Sequence, residues 1–300
     1  MYAVIVNPFS GRENATQLFQ QVEHLLKQHD MQYKALLSDS KDATHNFLEM
    51  LLESCALSAV VVIGGDGTSG SVTEFASMYH IPLAILPAGS GNDAARAFGL
   101  SGNPVVFVRK LRDFSIRPVD LLNVNGNLGL TIAAAGVDAD IGEKANRSFY
   151  KLLLNRIGLG GFVYPIAAIH TLGIFSPFEV NLSIDNKPYY WSRTWLIAAG
   201  NTPSYGGGLR VCPEALTDDG LLHITVAHSA SRFSLLLRLF PKLLQGNPIR
   251  STSITNFTGI DLTLQASRNI LLILDGEPIY SPIFKIRIQP KSLKLVDTSE

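Results

Sequence analysis

Hydrophobic runs and amphipathic segments alternate along the first hundred residues. The runs "YAVIV" at 2–6 and "AVVVI" at 59–63 have the length and β-branching of buried strands. Apolar residues at helical spacing in 14–29 predict a helix between them. Alternating strands and helices predict a parallel, doubly wound α/β sheet with right-handed crossovers. The other elements predicted here are strands at 32–37 and 81–86, and helices at 43–54, from the glycines to about Tyr79, and from about Asn92.

The pattern changes near Arg117–Asp120, where short segments of alternating polarity begin. Turn sequences such as Asn125-Gly126-Asn127 and Asp218-Asp219-Gly220 separate several of them. This pattern predicts an antiparallel β-sandwich or barrel, with helical material inserted near 143–171 and 231–246. The predicted strands are 119–125, 128–135, 178–184, 188–200, 221–228, 259–265, 270–275 and 283–288.

Size and composition agree with two globular domains. The chain has 300 residues, 46 % hydrophobic and 17 % charged. Lys+Arg and Asp+Glu both total 25, so there is no net positive charge to attract nucleic acid. Two distant cysteines, Cys55 and Cys212, define neither a disulfide framework nor a zinc site. The amino terminus lacks a signal-peptide pattern, and we therefore expect a cytoplasmic protein.

Two segments raise the question of a membrane. The apolar stretch from Ile157 to Phe175 is long enough to span a bilayer, but it contains several glycines and a proline. We therefore predict a buried or interfacial segment and no transmembrane helix. Residues 231–246 combine leucines and phenylalanines with three basic residues. This pattern is typical either of a helix on an anionic membrane or of a core helix with solvated charges.

The segment Gly64-Gly65-Asp66-Gly67-Thr68 follows a predicted strand and opens a predicted helix. Backbone N–H groups at such a turn attract an anion, and glycine lets the chain approach a phosphate closely. Asp66 would repel a phosphate unless it meets Mg²⁺ or orients a neighbour, so its presence suggests a metal-bearing site. The structural alternative is a tight strand-to-helix turn.

Two other nucleotide motifs fit this loop less well. Gly65, Gly67 and Gly70 match the dinucleotide pattern G-x-G-x-x-G, which expects an acidic residue after the next strand. Pro87 stands there instead. The Gly-Lys-Ser/Thr ending of a P-loop is also missing.

A second glycine loop, "LPAGSGND" at 86–93, also joins a strand to a helix. Ser90 offers a hydroxyl to a phosphate, and Asn92 and Asp93 are good helix-capping residues. The first strand leads into a third loop, "NPFSG" at 7–11. Open α/β sheets bind ligands at the carboxyl ends of their strands, where these three loops are expected to converge.

Five motifs together resemble the diacylglycerol kinase catalytic family, in its bacterial branch that includes relatives of sphingosine kinases. They are "VNPFSG", "GGDGT", "LPAGSGND", "TDDGLL" and "LDGEP", in the family's order and spacing over nearly the whole chain. The resemblance implies an ATP-binding α/β domain at 1–120, joined by the returning residues 279–300. It also implies a β-sandwich domain for the lipid substrate at 121–278, with the active site in the cleft between the domains.

Roles of individual residues follow from the same resemblance. Glu277 would be the general base for a lipid hydroxyl, and Asp120 would be an acidic active-site residue at the domain junction. Asp219 and the carbonyls of Leu216 and Leu221 would hold a structural Mg²⁺. The residues implied to face ATP are Asn7, Pro8, Phe9, Ser10, Gly11, Ser38, Gly64, Gly65, Asp66, Gly67, Thr68, Ser69, Gly70 and Ser90.

The chain departs from the family pattern in two places. An Asn and an acidic residue usually follow "GGDGT", where this chain has Ser69-Gly70, and Ser90 replaces the commoner Thr. The first change leaves the preference for ATP over other nucleotides open.

The sequence analysis therefore favours an ATP- and Mg²⁺-dependent lipid kinase at the membrane surface. The alternatives are phosphorylation of a soluble acceptor, as by NAD kinase, and a non-catalytic nucleotide- or lipid-binding regulator. A homodimer is also possible.

Overall fold

The computed structural model describes residues 1–11, 14–137, 139, 171–235, 237, 242 and 251–299. The predicted helical insertions near 143–171 and 231–246 lie mostly outside these residues. The main helices are α1 (Asn14–Gln28), α2 (Lys41–Ser54), α3 (Asp66–Met78), α4 (Asp93–Ala97) and α5 (Pro104–Asp113). The strands are β1 (Tyr2–Val6), β2 (Tyr33–Leu37), β3 (Ala59–Gly64), β4 (Leu83–Pro87), β5 (Ile116–Val124), β6 (Asn127–Gly129), β7 (Ile132–Gly136), β8 (Phe178–Ile184), β9 (Lys187–Gly200), β10 (Leu222–His228), β11 (Ile254–Gly259), β12 (Asp261–Leu274) and β13 (Glu277–Val296).

The first half forms the predicted parallel, doubly wound sheet. Its strand order is β4-β3-β1-β2, and neighbouring strands pair in parallel. Helices α1 and α5 cover one face, where Phe19, Val22 and Phe107 are buried. Helices α2 and α3 cover the other face, where Leu48 and Phe75 are buried. Because both faces are covered, the central strand β3 is apolar and buried at every position.

The second half is built on two long antiparallel strands, β9 and β12. Each has 14 residues and pairs with β8 along its first part and with β7 along its last part. Their shared neighbours curve the sheet around a separate core that contains Trp195 and Phe284. The two strands predicted at 259–265 and 270–275 are one strand with an irregularity between Gln265 and Ile270. The local break in apolar alternation at this irregularity produced the split prediction.

Strand β13 joins the two halves. Its first residues pair with β12, from Glu277 opposite Leu274 to Arg287 opposite Asp261. Its last residues pair with β5, and Leu295 pairs in parallel with Leu83 of β4. The strand thus carries the chain from the second half back to the first. The domain limits at 120 and 278 stay a prediction.

Candidate functional site

A cleft of about 310 Å³ opens where the parallel strands of the first half end. It lies at the carboxyl ends of β1, β2 and β3, the place where open α/β sheets bind ligands. Seven residues with roles implied by the sequence meet here, from four separate stretches of chain. The lining residues are Asn7, Ser10, Ser38, Asp39, Ser40, Lys41, Thr44, Gly65, Gly67, Thr68, Ser71 and Glu277.

The first glycine loop brings backbone donors to this cleft. Gly65 caps α3 with no side-chain hydrogen bond, which leaves the first N–H groups of the helix without a side-chain acceptor. A Cβ added at Gly67 would have no atom within 4 Å, so this glycine faces open space. The Asn7 amide donates to Thr68 Oγ1 at 3.1 Å and ties the end of β1 to the same helix start. A helix start that no side chain caps, beside open space, favours an anionic ligand.

The second glycine loop braces the first. A Cβ on Gly89 would lie 2.5 Å from the Cα of Gly65, so the two loops touch through their glycines. The Ala88 N–H donates to the Gly64 carbonyl at 2.8 Å and continues the β3–β4 pairing into the loops. Gly11 has φ +61°, and a Cβ there would lie 2.1 Å from the Ala88 oxygen. All three predicted loops therefore pack together at the sheet edge.

Asp66 connects the two glycine loops. Its Oδ1 accepts a hydrogen bond from the Ala94 N–H at 3.0 Å, which places the carboxylate at the start of α4. A Cβ on Gly91 would lie 2.8 Å from its Oδ2, so the second loop closes around it. The sequence left two roles open for Asp66, contact with Mg²⁺ or orientation of a neighbouring group. This geometry shows the second role, because the carboxylate binds the Ala94 N–H of the second loop's helix. The metal contact stays a prediction.

The predicted capping roles of Asn92 and Asp93 are wrong in detail. Asn92 occupies the cap position of α4 but makes no capping hydrogen bond; its side-chain amide instead exchanges two hydrogen bonds with Gly89. Asp93 is buried and accepts hydrogen bonds from the N–H groups of Gly207 and Gly208 in the second half. It also pairs with Arg96 at 2.6 Å. Burial raises the pKa of Asp93, against the opposing effect of the Gly207 N–H.

Glu277 stands at the cleft on a firmly held turn. It is the first residue of β13, it is exposed, and its side chain makes no hydrogen bond to the described residues. Asp275 and Gly276 before it both have positive φ, as a two-residue type I′ hairpin requires. Asp275 accepts hydrogen bonds from the N–H groups of Leu130 and Thr131 and from the Thr131 hydroxyl. This fixed turn holds a free carboxylate at the cleft.

Asp275 is a site residue that the sequence analysis missed. Burial raises its pKa, and the charge of Asp66 acts in the same direction. A Cβ on Gly70 would lie 3.4 Å from the Asp275 Cβ, so the hairpin also rests on α3. The local signal was an Asp-Gly pair between two strands, which indicates a turn. It does not indicate that the aspartate binds the distant backbone of Leu130 and Thr131.

Asp120 lies outside the cleft lining and connects three segments of the chain by hydrogen bonds. Its two carboxylate oxygens accept hydrogen bonds from the Gly220 and Lys291 N–H groups, both at 2.7 Å. The carboxylate is fully buried and joins β5 to the turn at 218–220 and to β13. Its predicted catalytic role stays a prediction.

The predicted magnesium residues lie on that same turn. Asp219 Oδ1 accepts from the Leu221 N–H at 3.0 Å, and Oδ2 lies 2.9 Å from His223 Nε2. A carboxylate with the carbonyls of Leu216 and Leu221 is a hard oxygen set that fits Mg²⁺ by its chemistry. Within the described part of the chain, no group of three or more His, Cys, Asp or Glu side chains could hold a metal.

The remaining predicted residues lie around the cleft rather than on its lining. Phe9 is 73 % exposed, and Ser90 is exposed on the second loop. Ser69 is buried, and its hydroxyl donates to the Asp66 carbonyl at 3.0 Å. The others that are not on the lining are Pro8, Gly11, Gly64, Asp66 and Gly70.

No helix in the described ranges is long and apolar enough to cross a bilayer. Ile157 to 170 lie outside those ranges.

Comparison with known families agrees with this geometry. The profile described as "Diacylglycerol kinase catalytic domain" matches residues 1–124, and "YegS C-terminal NAD kinase beta sandwich-like domain" matches residues 131–297. This chain belongs to the diacylglycerol kinase family. The two matches divide the chain close to the point where the strand pattern changes from parallel to antiparallel.

Individual members of the diacylglycerol kinase family support this assignment. A protein named "Diacylglycerol kinase" from Mycobacterium tuberculosis is 34 % identical over 249 residues, 81 % of this chain and 77 % of that protein. A "Probable lipid kinase YegS-like" protein from Pseudomonas aeruginosa is 29 % identical over 239 residues, 79 % of this chain and 75 % of that protein. The crystal structure of a diacylglycerol kinase from Bacillus anthracis has a TM-score of 0.74 at 20 % identity, covering 98 % of this chain and 96 % of that one. The last comparison shows a shared fold.

Proposed function

We propose that this member of the family transfers the γ-phosphate of ATP, with Mg²⁺, to a hydroxyl group of a lipid such as diacylglycerol. We place the protein in the cytoplasm and at the membrane surface, where such an acceptor resides. The observation that carries the proposal is the position of Glu277, a carboxylate without a partner among the described residues, on the same cleft as Gly65, Gly67 and Thr68. A base and a phosphate-binding helix start on one cleft are the two parts that phosphoryl transfer to an alcohol needs.

The reaction assigns a task to each side of the cleft. Glu277 accepts the proton of the acceptor hydroxyl while the hydroxyl oxygen bonds to the γ-phosphorus and the bond to the ADP oxygen breaks. The N–H groups at the start of α3 and the hydroxyl of Thr68 hold the phosphate oxygens. Asp219 with the carbonyls of Leu216 and Leu221 is the set that would hold Mg²⁺ as a structural ion.

The test is to incubate the purified protein with labelled ATP and a panel of acceptors. The panel contains diacylglycerol, other lipids with a free hydroxyl, and NAD. We expect label in a phospholipid product that depends on added Mg²⁺. Labelled NADP without a labelled lipid would contradict the lipid proposal, and no labelled product with any acceptor would favour a non-catalytic regulator.

A further inference from the structure

Lys41 occupies a position on the cleft that the sequence analysis did not consider. It is the first residue of α2 and lines the cleft beside Ser38 and Ser40. Among the described lining residues it is the only cation, and no carboxylate lies within ion-pair distance of its ammonium group in the described part of the chain. An exposed, unpaired lysine facing a cleft is free to bind a ligand.

The placement of this lysine is unfavourable for its own helix. The start of a helix carries partial positive charge, so a cation in the first turn destabilises it where an acidic residue would stabilise it. Ser40 caps α2 through its hydroxyl, which accepts from the Ala43 N–H at 3.2 Å. The helix therefore has a good start without Lys41. A residue that conflicts with its local structure is expected at a functional site.

Charges around the cleft explain why a cation is needed. Helices α2 and α3 both begin at it, and their first turns add partial positive charge. Two carboxylates, Asp39 and Glu277, also line it. The two carboxylates alone give the described lining side chains a formal charge of −2, which Lys41 reduces to −1. A polyphosphate needs such a compensating charge beside it, and Lys41 is the described lining side chain that supplies it.

We propose that Lys41 binds the phosphate groups of the donor and makes the cleft select di- and triphosphates over molecules without phosphate. Lysine suits this task because its ammonium group is a compact point charge with three donors on a flexible stem. The inference rests on the proposed function, namely that this cleft takes the phosphate donor. It adds that the donor is recognised here by its charge.

Binding measurements on four variants test this inference. Lys41→Ala and Asp39→Asn change the charge of the cleft, whereas Lys41→Arg keeps it. Lys34→Ala removes an exposed lysine of β2 outside the lining. Calorimetric titrations use tripolyphosphate, ATP and adenosine as probes. We expect Lys41→Ala to lower the affinity for tripolyphosphate and for ATP by about tenfold or more. Adenosine affinity should not change.

The other variants give the sign of the effect. Lys41→Arg should keep most of the affinity, and Lys34→Ala should keep all of it. Asp39→Asn should raise the affinity for both phosphate probes, because it removes a carboxylate that repels them. All these differences should shrink in high salt, which screens charges on an open cleft. In steady state, Lys41→Ala should raise the KM for ATP more than it lowers kcat.

Two results would overturn the inference, and they differ. If the unmodified protein binds ATP and Lys41→Ala binds it equally well in low salt, the phosphate role of Lys41 fails while the proposed function stands. If the unmodified protein binds neither ATP nor tripolyphosphate, both proposals fail. Circular dichroism checks that α2 is intact in each variant, and we expect the Tm of Lys41→Ala to equal or exceed that of the unmodified protein.

Discussion

The two glycine-rich loops both join a strand to a helix, but they occupy different places at the cleft. The loop at Gly64–Gly70 presents Gly65, Gly67 and Thr68 to the cleft. The loop at 86–93 contributes no residue to that lining and instead packs against the first loop through Gly89. Its last residue, Asp93, bonds across to Gly207 and Gly208 in the second half. Glycine therefore serves two needs here: it leaves open space on the cleft at Gly67, and it allows close approach of backbone at Gly89.

The largest expected effect concerns the carboxylate that faces the cleft. Glu277→Gln should lower kcat by about 10²- to 10⁴-fold, the usual contribution of a general base. Its Tm should not change, because the side chain is exposed and makes no hydrogen bond to the described residues. Its affinity for ATP should not fall and should rise in low salt, because the variant also removes a carboxylate from the cleft. Steady-state kinetics and thermal melts measure both. Turnover close to that of the unmodified protein would exclude Glu277 as the base.

The two loops should respond in opposite ways to an added methyl group. Gly89→Ala places a Cβ 2.5 Å from the Cα of Gly65, and we expect it to destabilise the protein by about 2 kcal/mol. Gly67→Ala meets no atom within 4 Å, so it should leave stability unchanged or raise it by about 0.5 kcal/mol. It should instead weaken binding of ATP, because the methyl group enters the cleft.

Urea denaturation and titration with ATP measure these two quantities. Gly102→Ala is the matched control, since its nearest atom would lie at 3.8 Å, an ordinary contact. Equal loss of stability in Gly89→Ala and Gly67→Ala would contradict the division between a bracing loop and a binding loop.

A smaller effect is expected at the turn that carries the implied metal residues. Asp219→Ala removes the acceptor for the Leu221 N–H and the partner of His223. We expect a loss of about 1 kcal/mol of folding free energy together with some activity. Added Mg²⁺ should raise the Tm of the unmodified protein but not that of the variant. Asp218→Ala, in the same exposed turn, is the control; loss of activity at unchanged stability would argue against a structural ion.

The smallest effect concerns pH and the carboxylates behind the cleft. Burial raises the pKa of Asp93 and of Asp275 above the ordinary value of 3.8, so the folded state holds these protons more tightly than the unfolded chain. Their contribution to folding free energy is therefore fully present below pH 3.8 and falls as pH rises through the raised values. Asp93→Asn should flatten this fall in urea denaturation series measured at several pH values. An unchanged slope would contradict the raised pKa of Asp93.

Much of the fold could be predicted because its signals are local. The β-branched runs and the helical spacing between them determine a parallel sheet, and the turn sequences after Asp120 determine an antiparallel one. Helix α5 and strand β11 were not predicted. Strand β11 has mixed polarity and so lacks a clear local pattern. Helix α5 does have a local signal, the capping residue Asn103 followed by a proline at the first helical position, and the sequence analysis missed it.

The sequence by itself determined the loops and their order, because glycine turns and motif spacing are properties of neighbouring residues. The role of Glu277 was implied by the family resemblance and stays a prediction, since its local sequence indicates only a hairpin turn. Only the tertiary structure decided which side chains meet. Asp66 bonds to a residue 28 positions away, Asp93 to one 114 positions away, and Asp275 to one 145 positions away. Such contacts depend on how strands are ordered and how far a side chain reaches, and no local pattern encodes either. For the same reason, only the structure shows that Lys41 lies on a cleft lined by residues of α2, α3 and β13.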